Sequence, residues 1–406
     1  MRRVITPDTG GASLFPCCDA TRENGFGTHD THTRDCGGGP SRLDKPCCLA
    51  HHARKSVSGG DPNMKAIVAH GAKDLRIEDR DMPTASPTEV LVRMETGGVC
   101  GSDLHYFHNG GFGTVRLREP MILGHEVAGR IEALGADVDG LRVGQRVALS
   151  PSRPCHACTF CEAGQPNHCL NMRFYGSAMP FPHIQGAFCE YIVADAAQCA
   201  VADDLTAGEA AMAEPLSVVL HAAAQAGALL GKRVLVTGCG PIGILAVLVA
   251  RAAGAAEIVA TDITAFTLEM AAKNGADRTI NVADTPDALS AYSANKGHFD
   301  VLFECSGAAV ALSAAVPAMR PGGIIVQLGL GGDMTLPVQA MTAKELQLRG
   351  SFRFHAEFFT AVDLMRTGRI DVKPLITQTI PLSDAEEAFR IASDRSRAIK
   401  AQIQFS

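Results

Sequence analysis

The chain has 406 residues, a formal net charge of −6, 46% hydrophobic residues, 14 cysteines and no tryptophan. A mildly acidic balance leaves no electrostatic footprint for nucleic acid or an anionic membrane surface, and no apolar run approaches the roughly 20 residues that cross a bilayer. Met1-Arg2-Arg3 is not followed by the apolar core of a secretory signal, so the cysteines are expected as reduced thiols and metal ligands in a cytoplasmic protein of two or three domains.

Residues 1–63 are rich in Gly, Pro, Ser, Asp and Arg and have no sustained period, which predicts a disordered or loosely attached extension without a function of its own. Cys17, Cys18, Cys36, Cys47, Cys48, His51 and His52 could be imagined as a metal cluster, but adjacent Cys-Cys pairs lack the usual gap between ligands.

From Met64 the chain turns strand-rich, with runs at 65–69, 89–95, 125–134 and 146–149 separated by Gly and Pro. That spacing predicts a partly open β-barrel over residues 64–214. Inside it, Cys100, His125 and Glu126 offer a sulfur, an imidazole and a carboxylate. This is the donor set of a catalytic zinc that keeps a fourth position open. Ser102 and His105 are placed to carry a proton from such a site to solvent. The plainer alternative is a buried thiol beside a polar His-Glu pair. Gly124 and Gly129 are expected to permit a close backbone approach near the metal.

Cys155, Cys158, Cys161 and Cys169 follow as C-x2-C-x2-C-x7-C. Four thiolates fit a closed, structural tetrahedral zinc; the spacing of the fourth is wrong for the competing iron–sulfur reading. His156 and His168 read as exposed loop histidines, Cys189 and Cys199 as small buried hydrophobes. The aromatic stretch 172–193 either lines a pocket or packs the domain, and Arg173 could hold an anionic substrate. Glu214 lies in an apolar stretch, where a carboxylate is costly unless paired or metal-bound. It could also be a helix-start acid with Pro215 at the first helical position.

Residues 215–351 alternate strand and helix, which predicts a doubly wound parallel sheet. A strand at 232–237 leads into Gly238, Gly240, Pro241, Ile242 and Gly243, opening a helix to 253, and Asp262 ends the next strand. In that context the glycine fingerprint is a dinucleotide site. Asp262 would bind ribose hydroxyls and repel a 2′-phosphate, favouring NAD over NADP. Further strands are expected at 278–282, 299–304, 323–328 and 346–351, with a helix running to 319. Cys305, Ser306, Gly307, Leu328 and Gly329 to Gly332, at strand C-ends, should touch cofactor. Residues 352–406 return to the first domain, with Arg353 within reach of substrate, a helix at 384–393 and a strand at 399–405.

Taken together, these motifs resemble the zinc-dependent medium-chain alcohol dehydrogenases from residue 64 to 406, but not over 1–63. G-V-C-G-S-D-L-H-Y at 98–106 and A-E-P-L-S-V at 213–218 resemble the polyol (sorbitol, xylitol) branch. P-S-R-P-C-H-A-C at 151–158, M-R-F-Y-G-S-A-M-P-F-P-H at 172–183 and R-G-S-F-R-F at 349–354 are similar to the group acting on L-idonate. The resemblance implies a GroES-like catalytic domain and a Rossmann domain. It implies a catalytic zinc on Cys100, His125 and either Glu126 or Glu214, a structural zinc on the four cysteines, and a Ser102–His105 proton relay. It implies NAD(H), with NADP(H) possible, a small sugar acid or polyol as substrate, and a homotetramer or homodimer; Tyr106, Arg173 and Arg353 are the expected substrate contacts, with Arg173 or Arg353 holding a C1 carboxylate. The reaction implied is reversible hydride transfer between L-idonate and 5-dehydro-D-gluconate. The alternatives are a sorbitol- or xylitol-type polyol dehydrogenase and, more distantly, a catalytically silent NAD-binding protein.

Overall fold

The strand Glu89–Gly98 is buried along nearly its whole length because it is paired on both edges. Glu126–Leu134 and Lys400–Gln404 flank it antiparallel, and Tyr191–Asp195 pairs with its first half. Arg146–Leu149 and Cys199–Val201 extend the sheet on one side and Ile376–Pro381 on the other. A smaller sheet of Asp74–Asp81, Asn63–Gly71 and Met121–Ile122 packs nearby, and Val92, Met94, Leu123, Val127, Leu149, Phe188, Phe389 and Ile403 share one core with it. The computed structural model describes residues 62–405, so the expectations for the N-terminal cysteines and histidines lie outside the described residues.

The second sheet has six parallel strands in the order Arg278–Asn281, Glu257–Asp262, Arg233–Thr237, Phe299–Glu304, Met319–Gln327, Gln347–Gly350. The order in which successive strands are added reverses between Arg233–Thr237 and Phe299–Glu304, the switch point at which open α/β sheets bind ligands. The central strands read as continuous apolar runs because helices cover both faces. Pro241–Ala252 buries Ile244, Leu245, Val247 and Val249 against them. Helices Ala213–Ala226 and Glu357–Arg366 pack together, burying Leu216 and Val219 against the same core as Phe358 and Val362.

Three local expectations change. Pro215 is the third residue of helix Ala213–Ala226, not the first; its missing N–H still falls in the first turn, where no intrahelical partner exists. The helix expected to reach 319 ends at Ala315, and Pro317 sits in a short 3-10 turn before the strand Met319–Gln327. The two glycines beside the His-Glu pair serve packing. A Cβ on Gly124 would meet Phe188 at 2.1 Å, and one on Gly129 would meet the Arg93 carbonyl of the neighbouring strand at 2.3 Å.

Candidate metal and cofactor site

Cys100 is the extended residue between the strand Glu89–Gly98 and the helix Gly101–Asn109. The helix begins there because Asp103 in its first turn accepts the Cys100 N–H at 3.0 Å, and it stops at left-handed Gly110. His125 and Glu126 lie at the start of the neighbouring strand. The thiol, imidazole and carboxylate are brought so close that one ligand atom from each lies within 4.8 Å of the others. That convergence of soft sulfur, nitrogen and oxygen donors fits zinc with one open position.

Two neighbours hold this trio in place. Asp103, fully buried, also accepts the Gly124 N–H at 3.1 Å and stands 3.8 Å from His125 Nδ1, beyond a direct hydrogen bond. Lys400, on the last strand, donates to both Glu126 oxygens at 2.8 and 2.6 Å and to the Val99 carbonyl at 3.2 Å. The ion pair is 2% exposed on each side, so each charge is tolerable only with the other. Gly98 leaves room for it: a Cβ there would sit 2.3 Å from Glu126 Oε2.

Glu214 is buried near this group but is not one of the three converging ligands. Burial pushes its carboxyl up to about 8; the charge of His125 pulls it down, while Glu126 and Cys100 push it further up. Desolvation, then Glu126, pushes the Cys100 thiol up to about 12. The thiol is therefore protonated near neutral pH until a cation compensates its charge. Zinc binds the thiolate, so loading the metal-free protein at pH 7 should release at least one proton per catalytic site. Apparent affinity should weaken roughly tenfold for each unit of lowered pH. A pH-indicator titration in weak buffer measures this, and zinc uptake without proton release would contradict ligation by Cys100.

Ser102 is half-buried and His105 exposed, three residues apart on one helix face. Tyr106 is only 2% exposed and its hydroxyl accepts the Ala178 N–H at 3.0 Å, so it braces the 172–183 segment. Arg173 is exposed on a two-residue strand paired with Ser152–Arg153. Arg353 differs. It adopts φ 57 and is half-buried, with its guanidinium 4.8 Å from the Phe174 ring centroid and 4.9 Å from that of Phe352. The Phe174 ring is in turn 5.6 Å from the His125 ring. The structure thus brings one of the two arginines, Arg353, within one aromatic ring of His125 in the converging trio.

The four cysteines of the 155–169 lobe also converge within 4.8 Å, all as free thiols. Cys155 is pulled down to about 6 by the Ala157 N–H and Asn171, and Cys158 is lowered by the N–H groups of Cys161 and Leu170. Backbone donors aimed at these two sulfurs favour thiolates, the form zinc takes, whereas burial, then the neighbouring thiols, pushes Cys161 up to about 12. His156 and His168 are exposed, as expected of loop residues. Cys189 and Cys199 are buried, which pushes both thiols up to about 12.

At the second sheet, Gly238 has φ 83 and a Cβ there would meet the Ser306 N at 2.7 Å, while one on Gly243 would lie 1.8 Å from the Gly238 carbonyl. The turn closes only with glycine, and Gly240 then caps the helix Pro241–Ala252 with Pro241 and Ile242 in its first turn. Asp262 Oδ2 accepts the Cys239 N–H at 2.6 Å, and Oδ1 accepts those of Ile263 and Thr264 at 2.7 and 3.0 Å. Its carboxylate therefore ties the glycine turn to the adjacent strand end. Cys305, Leu328 and Gly329 lie together at the opposite lip: Cys305 N–H donates to the Thr237 carbonyl, and those of Leu328 and Gly329 donate to the Glu304 carbonyl.

Asp103, Lys400 and Glu304 escaped sequence reasoning. Asp103 lay inside the quoted 98–106 motif, and its position three residues after Cys100 is a helix-start signal. Lys400 is 274 residues from Glu126, a separation that carries no local signal.

Residues 86–204 match the model of the alcohol dehydrogenase GroES-like domain and residues 241–367 that of the zinc-binding dehydrogenases. L-idonate 5-dehydrogenase (NAD(P)(+)) of Escherichia coli K12 is 43% identical over 78% of this chain and 92% of its own length. The chain belongs to the zinc-dependent alcohol dehydrogenase family. Sorbitol dehydrogenase of Gallus gallus is 38% identical to this dehydrogenase, over 84% of the chain and 96% of its own. The crystal structure of the Escherichia coli L-idonate 5-dehydrogenase superposes with a TM-score of 0.81 at 40% identity, covering 84% of this chain and 98% of that one. This dehydrogenase is accordingly a medium-chain α/β oxidoreductase with GroES-like and Rossmann-type parts. It is a zinc- and NAD(P)-dependent enzyme of the polyol and sugar-acid class. Among the described residues no helix is long and apolar enough to cross a membrane.

Proposed function

We propose that this dehydrogenase interconverts L-idonate and 5-dehydro-D-gluconate, with NAD preferred over NADP. The observation that carries the sugar-acid reading is Arg353. It is an arginine beside the metal trio whose burial lowers its pKa, and it has no carboxylate partner among the described residues. An unpaired, partly desolvated guanidinium calls for an anion with bidentate geometry, and the C1 carboxylate of a hexonate supplies one.

In this reading Cys100, His125 and Glu126 hold the catalytic zinc, Lys400 steadies Glu126, and Glu214 is a second carboxylate near the same centre. Cys155, Cys158, Cys161 and Cys169 hold the structural zinc. When bound, the metal supplies Lewis acidity at the reacting oxygen and the nicotinamide gives or takes the hydride. Ser102 takes the hydroxyl proton inside the site and His105, one turn further along the helix, hands it to water. The glycine turn at Gly238, Gly240 and Gly243 receives the pyrophosphate at a helix N-terminus. Asp262 meets the ribose hydroxyls, and Cys305, Leu328 and Gly329 border the nicotinamide half. The edge strand Gln347–Gly350, with Leu348 43% exposed, supports a homo-oligomer formed by pairing of sheet edges. A cytoplasmic location fits the free thiols.

The similarity to sorbitol dehydrogenase favours a second reading, a neutral polyol as substrate. Arg353→Met separates the two. The substitution should lower kcat/KM for L-idonate roughly 100-fold, with sorbitol oxidation changed less than about threefold. An equal fall on both substrates, or faster wild-type turnover of sorbitol than of L-idonate, would favour the neutral polyol.

A further inference from the structure

Glu304 ends the fourth strand of the parallel sheet at the switch point and is fully buried. Its Oε1 accepts from the Ser306 N–H at 2.9 Å, from Thr237 Oγ1 at 3.3 Å and from Ser306 Oγ. Its Oε2 accepts from the Gly307 N–H at 3.0 Å and from Gln327 Nε2 at 2.6 Å. The donors come from the ends of three neighbouring strands, so one carboxylate ties together the lip of the cofactor crevice. Above it the two loops touch backbone to backbone: a Cβ on Gly329 would lie 2.1 Å from the Gly307 N and 2.8 Å from Glu304 Oε2.

The partners are all uncharged. Among the described residues no Lys, Arg or His forms an ion pair with Glu304, unlike the buried Glu126, which has Lys400. Both oxygens face donors alone, so the site takes an acceptor on each side; Gln keeps the shape and removes the charge but turns one N–H against those donors. A buried carboxylate solvated only by amide and hydroxyl dipoles projects its field into the adjoining crevice, where low dielectric strengthens it. The crevice on this side of the switch point takes one mononucleotide half of the cofactor, and the glycine turn claims the pyrophosphate. The remaining half carries the ring whose charge is +1 when oxidised and zero when reduced.

We propose that Glu304 is a positioning residue that selects the oxidised cofactor. Its negative charge beneath the loops Cys305–Gly307 and Leu328–Gly329 stabilises NAD+ over NADH and biases bound cofactor towards alcohol oxidation. This goes beyond the substrate reading and rests only on nicotinamide binding at the crevice.

Dissociation constants for NAD+ and NADH, measured by calorimetry on the zinc-loaded enzyme, test it in wild type and Glu304→Gln. The isostere should raise the NAD+ constant about tenfold and the NADH constant less than about threefold. KM for NAD+ should rise while kcat at saturating cofactor stays within about threefold. Glu304→Asp should restore the wild-type ratio. Gln327→Lys places an ammonium against Oε2 without removing the carboxylate, and should shift the ratio in the same direction even if Glu304→Gln does not fold. An unchanged NAD+-to-NADH ratio in the folded variants, whether both constants rise together or neither moves, would overturn the proposal. A wild-type protein that binds neither form would sink the cofactor reading and this inference with it.

Discussion

Replacing His125 with Ala should abolish turnover, by a factor on the order of a thousand or more, and leave NADH binding within about twofold of wild type. Among the described residues, His125 is one of three side chains whose ligand atoms converge between the helix Gly101–Asn109 and the strand Glu126–Leu134. Its loss leaves a thiol and a carboxylate, and Glu126 is already engaged by Lys400. Two donors hold zinc poorly, so metal content should fall from two ions per chain to one. The cofactor crevice is built from the separate parallel sheet, and its key contacts, Asp262 with Cys239 and Glu304 with Gly307, involve no residue of the trio. A strong chelator should reproduce the phenotype in wild type. Turnover that survives either treatment would place the chemistry elsewhere.

The second large effect is expected in the four-cysteine lobe. Between residues 155 and 170 the regular structure amounts to the single turns Thr159–Glu162 and Pro166–His168, and no side chain of the former is buried. Little apolar burial is available to order this stretch, so metal ligation must supply the stabilisation; structural zinc can contribute about 10 kcal/mol or more to a small motif. Cys161→Ala should therefore cost one zinc and make the 155–170 segment sensitive to protease. The disturbance should spread to substrate binding by an identifiable route. Asn167 Nδ2 donates to the Phe352 carbonyl at 3.2 Å, His168 stacks on the Phe352 ring, and that ring supports Arg353. We expect KM for L-idonate to rise about tenfold while the catalytic zinc remains. Metal analysis, limited proteolysis and steady-state kinetics report the three effects. Unchanged zinc content would contradict ligation by this cysteine.

How much of this was legible in the sequence follows from how local each signal is. The glycine turn, the strand before it and Asp262 fall within about 30 residues, and their spacing carries its own physics. The four cysteines and the His-Glu pair are equally local. Pairings across the chain were not readable. Glu126 with Lys400, and Glu304 with Gln327, depend on strand order, which a linear pattern does not contain. The helix Gly101–Asn109 was missed because its run is short and polar, and its start depends on an acid that also serves the metal site. Gly124 and Gly129 announce a close approach in the sequence, but a glycine does not name its neighbour, which is Phe188 for one and the adjacent strand for the other.

Hydride transfer in this enzyme requires a metal among Cys100 Sγ, the His125 ring and the Glu126 carboxylate. Diffraction from crystals of the zinc-loaded enzyme, recorded on both sides of the zinc absorption edge, locates the metal directly. Two anomalous peaks are expected per chain, one among those three side chains and one among Cys155, Cys158, Cys161 and Cys169. A single peak at the four cysteines, with full activity in the same preparation, would contradict it.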